Sequence, residues 1–156
     1  MIPYSTQEIT EEDIKEVTKI LKSDFLTQGP KNIEFESLVA KKCNVSHALT
    51  VNSASSALHI ACLALELGPG DIFWTSAISF VASANCAIHC GALVDFIDID
   101  PLTYNISIEN LEEKLILAKK INKLPKIIMP VHLAGQSCDM EKIHSLSIQY
   151  GFKIIE

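Results

Sequence analysis

The sequence predicts an α/β fold built on a mostly parallel sheet with flanking helices. Short apolar runs alternate with longer stretches of helical period after residue 45, and glycine, proline and aspartate punctuate the joins. Strand-helix alternation of this kind requires crossover connections, which make neighbouring strands parallel. With 156 residues, 48% of them hydrophobic, the chain can bury a sizeable core.

Taken in order, the chain opens with a helical arm, residues 1–45. Thr10 is a suitable N-cap for a helix over Glu11–Lys22, with acidic residues in its first turn and Ile14, Val17, Ile20 and Leu21 in one stripe. A second helix is expected over Ile33–Lys42. From residue 46 the α/β part begins: a strand at His47–Val51, a helix at Ser55–Glu66, and a turn at Gly68-Pro69-Gly70-Asp71. A strand at Ile72–Thr75, a helix at Phe80–Cys90 ended by Gly91 and a strand at Leu93–Asp98 follow. Ser107 caps a helix running to about Ala118, Lys126–Val131 is a fourth strand, Met140–Tyr150 a helix ended by Gly151, and Phe152–Ile155 a fifth strand. That last run ends at Glu156, where a site residue would be expected next, so the chain reads as the first part of a longer domain.

Charge and composition exclude several function classes. The formal charge is -6, and all 13 basic residues are lysine. An acidic chain without a guanidinium fork lacks the surface and the base reader that nucleic acid requires. The longest apolar runs fall far short of the roughly 20 residues of a membrane span, and the first residues do not form a secretion signal. Five cysteines without paired CxxC spacing fit a reducing compartment, so a soluble cytoplasmic protein is expected. Cys86 and Cys90, four apart on a helix with His89 between them, read as small buried hydrophobes, and no metal site is expected.

Three strand-to-helix junctions offer polar chemistry. In Asn52-Ser53-Ala54-Ser55-Ser56, small residues open a helix whose unpaired amides and partial positive charge suit a phosphate. An ordinary serine cap explains the same residues equally well. Phe80, after the second strand, is either a ring that stacks on a flat cofactor or a core residue at a helix start. His132, after the fourth strand, either titrates or holds a substrate group, or is hydrogen-bonded structure. Asp98 and Asp100 read as turn residues ahead of Pro101, and the loop from Asp24 to Pro30 as a connector between helices.

A collinear set of motifs resembles the sugar aminotransferases of the DegT/DnrJ/EryC1/StrS family. The set comprises Tyr4, Leu26-Thr27-Gln28-Gly29-Pro30, Phe35-Glu36, Asn52 to Leu58, Gly68 to Asp71, Ser79 to Asn85, Asp98-Ile99-Asp100 and Met129 to Gly135. Within it, the Tyr-Ser start and the runs at 52–56 and 79–86 look most like the pseudaminic acid branch. The resemblance implies the N-terminal part of the large domain of a type I aminotransferase fold, pyridoxal 5′-phosphate as cofactor, and a homodimer. It implies that Ser53, Ala54 and Ser55 hold the cofactor phosphate and that Phe80 stacks on its ring. Tyr4, Asp24, Phe25, Leu26 and Thr27 would border a UDP-sugar, and the reaction would pass an amino group, from glutamate, to a UDP-4-keto-6-deoxy sugar. It gives His132 no catalytic role. In the family the acidic residue on the ring nitrogen and the lysine that binds the cofactor follow the stretch matched here, so no catalytic residue is assigned and the fragment alone is expected to be inactive. A dehydratase of the same fold, or a non-catalytic binding module, are the alternatives.

Overall fold

The computed structural model describes Pro3 and residues 5–156. The chain divides into two compact units, one running through Thr50 and the other spanning Val51–Glu156.

In the first unit, α1 (Glu11–Leu21) starts on a reciprocal cap. The Asp13 amide donates to Thr10 Oγ1 at 3.3 Å, and the Thr10 amide donates to Asp13 Oδ2 at 2.8 Å. Helix α2 (Pro30–Cys43) begins three residues ahead of the expected Ile33 because Pro30 occupies the first helical position, where its missing N–H costs nothing. Gly29 precedes it by necessity: a Cβ there would lie 2.8 Å from Phe25 Cβ. Left-handed Asn44 ends the helix. The expected strand at His47–Val51 is absent. A strand needs a neighbour for its amides, and the Thr50 amide is instead taken, at 2.8 Å, by the Glu36 carboxylate of α2. The hydroxyl of Thr50 donates to the same oxygen, and both bonds hold the Glu36 carboxyl below its ordinary range.

The second unit is a four-stranded parallel sheet between two helical layers. Its elements are α3 (Ala54–Ala64), β1 (Ile72–Ser76), α4 (Ala82–His89), β2 (Leu93–Ile97), α5 (Ile108–Lys120), β3 (Ile127–Met129), a 3₁₀ turn (Leu133–Gly135), α6 (Met140–Tyr150) and β4 (Lys153–Ile154). The strands lie in the order β2-β1-β3-β4, all parallel. Period-2 alternation splits them between two cores. Trp74 and Ile128 face Leu111, Leu115 and Ile143 of α5 and α6, while Phe73, Ile127 and Met129 face Cys62, Cys86 and Ala87 of α3 and α4. Cys86 is thus a core residue, as the sequence predicts, while Cys90 is only partly buried; Cys62 lies in the same core. The fourth and fifth strands are shorter than expected, their registered pairing being confined to Ile127–Met129 and Lys153–Ile154.

This order places a topological switch. From β1 the chain crosses through α4 to β2 on one side, and from β3 it crosses through α6 to β4 on the other. The connections therefore diverge between the adjacent strands β1 and β3, and in sheets of this kind ligands bind outside the carboxyl ends at such a switch. At the opposite end of the sheet, Lys126 bonds Asp71 at 2.8 Å and also reaches the Glu66 carbonyl. These bonds tie the turn before β1 to the start of β3.

Candidate active site at the carboxyl ends of the strands

The expected site residues of the second unit lie at the start of α3 and in the segment after β1. Helix α3 packs with α4 on one face of the sheet and joins β1 through the segment after its carboxyl end, so its amino end is the one away from that junction. Ser53 is the cap: the Ser56 amide donates to its Oγ at 3.2 Å. Its hydroxyl also lies 3.0 Å from Ser56 Oγ, and Ser56 donates in turn to Asn52 Oδ1 at 2.7 Å. This chain of three polar side chains shapes the helix start, and it leaves Ala54 and Ser55 as exposed first-turn residues whose amides have no carbonyl behind them.

After β1 the chain runs Ser76-Ala77-Ile78-Ser79-Phe80. Phe80 precedes α4 and is 75% exposed, so it is no core residue, which decides that part of the sequence reading. Ser79 and Ser83 share a hydroxyl-hydroxyl hydrogen bond across the helix start. Ser76, at the last position of β1, is buried, and its Oγ has no hydrogen-bond partner among the described residues. Buried hydroxyls without a partner are uncommon and costly, and this one sits at the carboxyl end of a central strand. The sequence pattern missed it, because a serine inside a strand reads as neutral; only its burial gives it meaning.

After β3 comes the loop Pro130–Asp139. Asn105, only 4% exposed, grips it three times: Nδ2 donates to the carbonyls of Gln136 and Ser137, both at 3.1 Å, and the Leu133 amide donates to Oδ1 at 3.2 Å. Left-handed Ala134, with φ of 52°, lets the chain turn inside that grip. His132 is hydrogen-bonded on both ring nitrogens, to the Cys138 amide at 3.1 Å and to Glu156 Oε2 at 3.0 Å. Asp100 accepts from the amides of Leu102 and Thr103, at 2.9 and 2.8 Å. It is the turn residue its place before Pro101 suggests, and these bonds hold its carboxyl below the ordinary range.

In the first unit, Asp24, Phe25 and Leu26 line a concavity of about 340 Å³ together with Ile20, Ser23 and Pro30, and Thr27 lies in the same exposed loop. Tyr4 lies outside the described residues. Among the described residues no three His, Cys, Asp or Glu side chains gather as a metal-binding group, and no helix is long and apolar enough to cross a membrane.

Comparison with known proteins agrees with this architecture. The spore coat polysaccharide biosynthesis protein SpsC of Bacillus subtilis is 40% identical over 99% of this chain and 38% of its own length. The structure of Helicobacter pylori PseC, an aminotransferase involved in pseudaminic acid biosynthesis, superposes with a TM-score of 0.87 at 33% identity, over 97% of this chain and 40% of that one. Streptococcus pneumoniae Spr1654, described as a sugar aminotransferase and solved in its pyridoxal phosphate form, gives 0.86 at 31% identity, over 99% of this chain and 38% of that one. The chain thus spans about two fifths of the length of these relatives. Residues 7–156 match the family model, and the chain belongs to the DegT/DnrJ/EryC1/StrS aminotransferase family.

Proposed function

We propose that the Val51–Glu156 unit supplies the cofactor-phosphate and ring-stacking half of a pyridoxal 5′-phosphate site in a sugar-nucleotide aminotransferase. What supports this reading is the change of crossover side between β1 and β3, taken together with the open first turn of α3, the exposed Phe80 after β1 and the buried, partnerless Ser76 Oγ at the end of β1. These residues fit a phosphorylated aromatic group. Two first-turn amides and the Ser55 hydroxyl can donate to phosphate oxygens, the positive end of the helix favours the dianion, and the exposed phenyl ring offers a flat apolar face.

When bound, the cofactor supplies an electrophilic carbonyl and an electron sink for amino-group exchange. The residues of this chain orient it. Ser53 fixes the helix start through the Ser56 amide, Ala54 keeps the approach open, Ser55 donates, and Phe80 covers one ring face. Lys114 pairs with Asp95 at 2.7 Å and lies 5.0 Å over the Trp74 ring, and Lys126 is held at the opposite end of the sheet, so these two are engaged elsewhere.

On the same reading the substrate is a UDP-4-keto-6-deoxy sugar, with glutamate as amino donor, and the product belongs to the pseudaminic acid branch as a UDP-4-amino-4,6-dideoxy-N-acetyl-β-L-altrosamine. The likeness to PseC supports this choice. Tyr4 and the loop Asp24-Phe25-Leu26-Thr27 border the sugar nucleotide. A second copy of the chain covers the first unit, whose Ile14, Val17, Leu21, Phe35 and Leu38 are each half or more exposed. On this reading the active protein is a homodimer that works in the cytoplasm. Incubating the intact protein with pyridoxal phosphate, glutamate and the UDP-4-keto sugar tests this. Formation of 2-oxoglutarate and an amino sugar is expected; loss of water from the sugar without amination would favour a dehydratase, and cofactor binding without either reaction a binding module.

A further inference from the structure

We infer that His132 is a positioning residue, locked in the Nε2–H form between two partners, whose task is to orient the Glu156 carboxylate just past the carboxyl end of β4. Cys138 presents an amide N–H, which can only donate, to His132 Nδ1 at 3.1 Å. Nδ1 is therefore the accepting nitrogen and the ring proton resides on Nε2. Nε2 lies 3.0 Å from Glu156 Oε2, so the imidazole donates to a carboxylate, the stronger kind of hydrogen bond.

Both ring nitrogens are thereby used, and neither is left to carry a proton to or from a bound molecule. The accepting side is held rigid from behind. The Cys138 thiol donates to the Val131 carbonyl at 3.3 Å, Asn105 grips Leu133, Gln136 and Ser137, and Asp139 caps α6 through the Lys142 amide at 3.2 Å. On the donating side, β4 pairs with β3 through only two registered residues, Lys153 and Ile154, followed by the Ile155 amide on the Ile128 carbonyl at 3.2 Å. The His132–Glu156 bond adds a side-chain tie beyond that short ladder, and with it the loop after β3 sets where the carboxylate at the end of β4 points.

The test separates the two sides of the ring. Long-range proton-nitrogen correlation spectra of the 15N-labelled intact protein should show His132 Nδ1 bare and Nε2 protonated. In His132→Asn the short amide can still accept from Cys138 but cannot reach Glu156; in His132→Gln the longer one can donate to Glu156 but leaves Cys138. Amide exchange should accordingly rise about tenfold at Ile155 and not at Cys138 in the first variant, and at Cys138 and not at Ile155 in the second. Glu156→Ala should free Ile155 while Nδ1 stays bare. A ring protonated on Nδ1, or two His132 variants that disturb both amides alike, overturns the assignment; the wild-type spectrum decides the first point even if a variant fails to fold.

Discussion

The phosphate cradle at α3 predicts a specific response to charge at Ser55. Ser55→Asp sets a carboxylate in the first turn of an exposed helix, where it favours the fold by about 0.3–1 kcal/mol through the helix dipole, so the protein should melt no lower than wild type. Toward a bound phosphate the same charge is repulsive. At about 4 Å a unit pair costs about 1 kcal/mol in water and about 4 kcal/mol at an effective dielectric of roughly 20. Because Ser55 is exposed, the lower figure applies, and a phosphate bearing nearly two charges brings the cost to about 2 kcal/mol, roughly thirtyfold in affinity. Ser55→Asn, of the same shape without the charge, is the control. Titrating the cofactor-free intact protein with pyridoxal phosphate at low and high salt measures both, and the gap between them should narrow as salt rises. Ser53→Ala should behave differently, losing about 1 kcal/mol of stability with the Ser56 cap as well as affinity. If Ser55→Asp and Ser55→Asn bind within about twofold of each other at low salt, the phosphate does not sit at this helix end.

Three further outcomes are expected. Asn105→Ala strips three hydrogen bonds from the loop after β3 and should lower stability by about 2–4 kcal/mol in denaturant melts, whereas exposed Gln136→Ala should be near neutral. The Lys126 ammonium, helped by the Gly68 amide, lowers the Asp71 pKa, so the contribution of this pair is present above the ordinary carboxylate range and is lost as pH falls through the depressed value. Lys126→Met should therefore cost up to about 1 kcal/mol at neutral pH, a deficit that shrinks in acid, and a deficit that grows in acid would contradict the pairing. Exposed Cys43 should react with a thiol reagent in the native protein, while Cys62, whose pKa is raised by its hydrogen bond to Cys86 and by burial, should react only on unfolding.

Much of this fold was legible because its signals are local. Thr10, Ser107 and Gly151 mark helix ends through their own side chain or backbone, and the structure uses all three as the pattern suggests. The run His47–Val51 has strand composition, yet composition cannot supply a neighbour, and the Glu36 carboxylate fourteen residues earlier takes the Thr50 amide. For the same reason the sheet order, and with it the switch between β1 and β3, was not readable: it depends on which strands pair. At the site, small residues and serines announced the start of α3, while assigning the cap to Ser53 and leaving Ser55 open required the Ser56 contact. His132 was visible only as a histidine at a strand end. Its partners, Cys138 and Glu156, lie 6 and 24 residues along the chain and meet it through packing.

A phosphorylated aromatic cofactor at the carboxyl ends of β1 and β3 would perturb the start of α3 and the segment around Phe80 together. The most direct measurement is a map of backbone amide shifts in the intact protein as pyridoxal phosphate is added, with inorganic phosphate as a second titrant. Both titrants should shift Ala54 and Ser55, and pyridoxal phosphate alone should also shift residues 77–81 around Phe80. Shifts confined to the amino ends of the strands, around Asp71 and Lys126, or the same footprint for both titrants, would contradict this placement.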